Sequence, residues 1–267
     1  MEMEKAVNTE QLKALKLIER FNPKCLDKYG AFQQIDRHQF LNSLRELIHQ
    51  PASITQGEHP LCGIASTVKI AAELDPVNLV KMSAWFYARG KYEPGSFLRK
   101  KIAVPQHLKN AMPVAGLSPA NHVLQTTIKS FFNPITGYNN KPGSIFNEWQ
   151  GITFPHQLRR FLTNYFRIKT VPVRTYRHTI QELQALLQKS VSLLAWTSWN
   201  QMKNPGGRFK LLEQHYVLIK SVQRKGEEVE LMIDNPRKKD DHYQTFIFPN
   251  ERAFYKALIG VYAFDRA

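Results

Sequence analysis

The stretch Gln56-Gly57-Glu58-His59-Pro60-Leu61-Cys62-Gly63-Ile64-Ala65-Ser66 decides how this chain is read. A helix-like run opens directly behind Cys62, which places the thiol in the first turn. There the unpaired N–H groups and the positive end of the helix dipole favour a thiolate, so Cys62 is expected to ionise more readily than a free thiol. Gln56 meets a second need. When sulfur attacks a carbonyl, negative charge develops on oxygen, and a side-chain amide beside the cysteine's own N–H can bind it. An isolated cysteine is more often a small buried hydrophobe, so the case rests on what lies downstream.

Two β-rich segments lie there, Gln214-His215-Tyr216-Val217-Leu218-Ile219 and Val229-Glu230-Leu231-Met232-Ile233-Asp234-Asn235-Pro236. Strand alternation puts His215, Val217 and Ile219 on one face of the first. It puts Glu230, Met232 and Asp234 on one face of the second. Between them, Gln223-Arg224-Lys225-Gly226-Glu227-Glu228 carries a turn glycine and charge, which predicts a hairpin or near neighbours. Asp234 is then expected to orient the His215 imidazole, with Asn235 as the competing orienter.

Taken in order, Gln-x5-Cys-Gly-x-Ala-Ser, His-Tyr-Val-Leu-Ile and Ile-Asp-Asn-Pro resemble the papain-like cysteine peptidase superfamily, nearest to its compact bacterial, bacteriocin-processing-peptidase-like branch. The resemblance spans roughly residues 54–248 and rests on the order and spacing of short pieces. It implies an α+β fold, with a helical lobe carrying the nucleophile packed on an antiparallel sheet. It also implies a catalytic set of Cys62, His215, Asp234 and Gln56. The reaction implied is acyl transfer from an amide through a thioester that water hydrolyses; peptidase, amidase, isopeptidase and glutamine deamidase chemistry all remain open. Two departures matter: the segment 91–142 is longer than compact bacterial peptidases need, and Gly-Ile follows the cysteine instead of an aromatic run. Substrate specificity therefore does not carry across.

The 267 residues are 43% hydrophobic and 11% aromatic, enough for a sizeable core and more consistent with one enlarged domain than with two. The expected organisation is a helical prefix over 1–50, then a cysteine hydrolase domain over 51–267 with a helical insertion around 91–142. Helices are predicted over 9–20, capped by Asn8 or Thr9, over 37–49, over 77–88 with Asp75 as N-cap and Pro76 at the first position, from Pro155 to Phe166, and over 179–188. The run 122–132 suggests a further helix, and 134–142 a turn-rich loop. Short strands are expected over 171–173 and 191–196.

With 37 Lys and Arg against 22 Asp and Glu, the formal charge is +15. Such a field favours acidic partners. The basic clusters, Arg99-Lys100-Lys101, Arg159-Arg160 and Arg237-Lys238-Lys239, are short and read first as solvated surface. No zinc spacing, phosphate-binding loop or RNA-binding signature appears, so no cofactor or metal is expected and nucleic acid is disfavoured as a partner. The expected partner is an acidic protein or peptide-like amide substrate, joined by a cognate inhibitor if the chain is a toxin. No run reaches membrane-spanning length. Met1 to Lys5 is charged with no apolar stretch behind it, an expectation of cytoplasmic synthesis without a signal peptide, with export by a dedicated secretion system as the bacterial-effector variant. Cys25 and Cys62 are the two cysteines, and both are expected reduced.

His59 reads as a loop histidine, with lining of the site as its alternative, and His122, His156, His178 and His242 read as surface or capping residues with no paired ligand. Trp196, Trp199 and Asn200 are candidates either for the border of a cleft or for turn and core. The competing functional class is a papain-like scaffold that has lost catalysis and become a basic binding module for an acidic protein or nucleic acid.

Overall fold

The computed structural model describes residues 8–21, 30–57, 60–94, 100–133, 153–171, 179–189, 191–205, 207–208, 214–237 and 243–267. Cys25, His59, His178, His242, Arg99, Lys238, Lys239 and the 134–142 loop lie outside them, as do Pro172 and Val173 of the expected 171–173 strand. The chain is α+β and divides into two units, one ending at Arg167 and one beginning at Ile168. The sequence reading instead set a boundary at 50/51.

Helices build the first unit. Asn8 opens α1 (Thr9–Arg20) with a reciprocal capping box to Gln11, and Asp36 opens α2 (Arg37–His49) by accepting from the N–H groups of His38 and Gln39. These caps satisfy donors that the first turn cannot bond internally. After a 3-10 turn (Pro51–Ser53) comes α3 (Cys62–Leu74). Asp75 then caps α4 (Pro76–Arg89), with proline at its first position and Gly90 closing it in the left-handed conformation at φ 63°. Two short antiparallel strands, β1 (Lys91–Tyr92) and β2 (Ile102–Ala103), precede α5 (Gln106–Lys109), α6 (Pro119–Phe132) and α7 (Pro155–Tyr165).

The expected prefix is part of this unit's core. α1 packs on α4 and α2 on α6, and Phe40 stacks on Tyr87 with ring centroids 4.3 Å apart. The Tyr87 hydroxyl donates to the Ile35 carbonyl at 2.9 Å. Nor is α6 an appendage: every residue from Ala120 to Ser130 is buried, and the helix packs on α2, α3 and α4. α3 is enclosed to the same degree, with all residues from Gly63 to Ala72 buried. A helix buried on every face is the centre of its unit, and this one starts at the cysteine.

The second unit is a six-stranded sheet, antiparallel throughout, in the order β3-β8-β4-β5-β6-β7. Its strands are β3 (Ile168–Val171), β4 (Ser192–Ser198), β5 (Gln214–Lys225), β6 (Glu228–Asp234), β7 (Tyr243–Phe248) and β8 (Leu258–Arg266). α8 (Ile180–Gln188), capped by Thr179 with Glu182, packs on β4 and β5, while α9 (Trp199–Lys203) and α10 (Glu251–Ala257) pack together. Leu193, Ala195, Val217, Ile219, Val222, Leu231, Ile233, Phe248 and Phe254 form the centre of the core. Gly226 (φ 65°) and Glu227 make the two-residue turn between β5 and β6.

That hairpin is not regular. Lys225 pairs with Glu228 and Val222 with Leu231, but the register shifts at Lys220, so that Ile219 faces Ile233 and Leu218 faces Asp234. The extra residue lets Val222 and Ile219, which plain alternation would send to opposite faces, both enter the core.

Candidate functional site

In the second unit the bulge decides which side chain meets His215. A regular two-residue hairpin registers Asp234 against Ile219, on the His215 face; the bulge moves it opposite Leu218, so that Asn235, the next residue, falls on the His215 face instead. Accordingly His215 Nε2 lies 2.8 Å from Asn235 Oδ1. The Asp234 carboxylate is buried and sits 4.0 Å from the ammonium of Lys220, the bulge residue itself. The expectation that Asp234 orients His215 is therefore corrected in favour of Asn235, and the reason is one inserted residue.

Donor and acceptor rules fix the rest. The backbone N–H of Arg237 meets Asn235 Oδ1 at 3.0 Å, and a backbone N–H can only donate, so the oxygen of the amide is the atom that faces it. The other end of that amide donates to Gln244 Oε1 at 2.7 Å. His215 Nε2 must then carry the hydrogen it shares with Oδ1, and in the neutral ring the basic lone pair sits on Nδ1. Nδ1 makes no hydrogen bond among the described residues. Further support comes from Trp199, whose ring meets the imidazole edge-on at 4.9 Å, and from Thr197, whose hydroxyl donates to the His215 carbonyl at 3.0 Å. His215 is 7% exposed. Its imidazole is held through Nε2 by the Asn235 amide.

In the first unit Cys62 begins α3, is partly exposed and is present as a thiol. No side chain caps that helix, so the dipole end is directed at the cysteine itself. The loop before it is anchored from two sides. Gln125 Nε2, on α6, donates to the Thr55 carbonyl at 2.6 Å, and Thr55 Oγ1 donates to the Gly116 carbonyl at 3.2 Å. Gly57 follows at φ 60°, where a Cβ would come within 2.8 Å of the Ala115 carbonyl oxygen. Only glycine combines that backbone conformation with that approach. Gln56, between these fixed points, is 6% exposed.

Lys129 is the residue that sequence reasoning missed. It is fully buried on α6, and its ammonium donates to Thr153 Oγ1 at 3.0 Å. Burial pushes it down to about 7, while the charge of Cys62 acts in the opposite direction. A signal for it exists in the helical period, since His122, Gln125, Thr126 and Lys129 recur along one side of the helix. Of the remaining histidines, His122 is buried with Nδ1 accepting from the Val114 N–H at 3.2 Å, and His156 lies in the first turn of α7, stacked on Phe154. Among the described residues there is no group of His, Cys, Asp and Glu able to hold a metal ion, and no helix long and apolar enough to cross a membrane.

Compared with known proteins, the chain matches no family model, no curated protein and no solved structure.

Proposed function

We propose that this chain is a papain-like cysteine hydrolase acting on an amide bond. Cys62 is the nucleophile, His215 the base that takes its proton through Nδ1, Asn235 the residue that holds the imidazole, and Gln56 with the Cys62 N–H the donors to the oxyanion. The observation that carries the reading is the His215–Asn235 bond at 2.8 Å, because the Arg237 N–H at 3.0 Å fixes the amide and hence the imidazole tautomer that a thiol-activating base needs. A histidine kept only for packing has no need of a tautomer chosen by a second-strand amide that two further groups hold in place.

In the reaction, the thiolate adds to the amide carbonyl, the oxyanion is held by Gln56 and the helix start, and the imidazolium returns its proton to the departing nitrogen. The thioester is then opened by water with His215 as base. The +15 charge favours an acidic protein as substrate, and the bacterial-effector setting accommodates such a target.

The experiment is to incubate acidic candidate proteins with active chain and with Cys62→Ala and to compare their masses. New termini made only by the active chain establish peptidase action; conversion of a glutamine amide to an acid establishes deamidation. If active chain and Cys62→Ala leave every candidate identical, and both bind acidic protein or nucleic acid equally well, the basic binding module replaces the hydrolase.

A further inference from the structure

The face of α6 that fixes the Gln56 loop carries a charge one turn further on. Gln125 donates to the Thr55 carbonyl, and Lys129 follows four residues later, on the same side of a helix that packs against α3, which Cys62 begins. A lysine in an enclosed core is costly and is normally paired or placed for a purpose. Here the ammonium is fully buried, is positioned by the Thr153 hydroxyl at 3.0 Å, and lies within electrostatic reach of Cys62. On the same two helices, Lys69 of α3 donates to the Ala52 carbonyl at 3.1 Å, and His122 Nδ1 of α6 accepts from the Val114 N–H.

We propose that Lys129 is a positioning residue for the nucleophile, the buried ammonium against which the Cys62 thiolate is held within the helical unit. The inference rests on the reading of Cys62 as nucleophile and deepens it. Lys129 enters as the ammonium and exchanges no proton: the Cys62 S–H proton passes to His215 Nδ1, and the thiolate left behind is held by the charge of the ammonium. His215, as the imidazolium formed in that transfer, then returns the proton to the leaving nitrogen.

The test is the pH profile of Cys62 alkylation by iodoacetamide in the full chain, compared with Lys129→Met. In the wild type Cys62 reacts faster than a free thiol below neutrality. In Lys129→Met the midpoint moves upward, making the reaction about tenfold slower on the acid side for each unit of movement. A reciprocal measurement does not require the lysine variant to fold: nitrogen-15 NMR of the lysine Nζ groups follows Lys129 in the wild type and in Cys62→Ser, where loss of the thiolate lowers its titration. Rapid wild-type alkylation with an unmoved midpoint in Lys129→Met, or an Nζ titration unchanged in Cys62→Ser, overturns the Lys129 assignment and leaves Cys62 as nucleophile. Wild-type alkylation no faster than a free thiol overturns both.

Discussion

His215 and Asn235 are joined across a β-bulge: the imidazole Nε2 and the amide Oδ1 are 2.8 Å apart because Lys220 adds one residue to β5. Asn235→Ala is therefore expected to release the tautomer, whereas Asp234→Ala leaves it in place. Nitrogen-15 shifts of the His215 ring report this directly, as a hydrogen resident on Nε2 in the wild type and in Asp234→Ala and an averaged pair of nitrogens in Asn235→Ala. Hydrolysis, once a substrate is in hand, falls about 10²-fold in Asn235→Ala, the scale of losing a placed general base.

Lys129 gives the fold a pH dependence with a definite sign. Burial holds the ammonium at about 7 against an ordinary 10.5, so between those values the unfolded chain binds the extra proton. Stability then rises with pH through that window, and the cost of the buried charge is fully present below it. The amplitude is at most about 5 kcal/mol, with the opposing charge of Cys62 already included. Urea unfolding at pH 6 and pH 9 is expected to show wild-type stability increasing with pH. Lys129→Met flattens that rise and gains on the order of 2 kcal/mol at pH 6.

Two glycines differ in what they protect. At Gly57 a side chain meets both a positive φ and the Ala115 carbonyl oxygen at 2.8 Å; at Gly226 the φ is also positive, but nothing lies within 4 Å. Gly57→Ala is expected to cost about 2–4 kcal/mol and to disturb the Gln56 loop, while Gly226→Ala costs about 1 kcal/mol and leaves Cys62 reactivity unchanged. Chemical denaturation and Cys62 alkylation rates, measured on both variants, separate the two.

Local chemistry made much of this fold legible. Asn8, Asp75 and Thr179 announce helix starts by accepting first-turn N–H groups, and Gly90 and Gly226 announce a stop and a turn, all signals confined to a few neighbouring residues. The expected helices over 9–20 and 37–49 and the antiparallel arrangement around β5 and β6 are signalled by residues close together in sequence. The face of Asp234 was another matter. It depends on whether β5 carries an even or odd number of residues between the turn and Ile219, and the bulge is required by packing of Ile219 and Val222 into one core, a tertiary demand invisible in either strand. Lys129 was hidden for a related reason. A lysine in a helix ordinarily faces water, and only the enclosure of α6 by α2, α3 and α4 makes it a buried charge.

We propose that Cys62 and His215 act as one catalytic pair. Cross-linking tests it most directly: 1,3-dibromoacetone alkylates a thiolate and can then bridge only to a nucleophile beside it, so treated protein is digested and its linked peptides identified by mass spectrometry. One dominant product is expected, joining the Cys62 peptide to the His215 peptide through an imidazole nitrogen and absent from His215→Ala and Cys62→Ala. Complete modification of Cys62 with no link to His215 would contradict it.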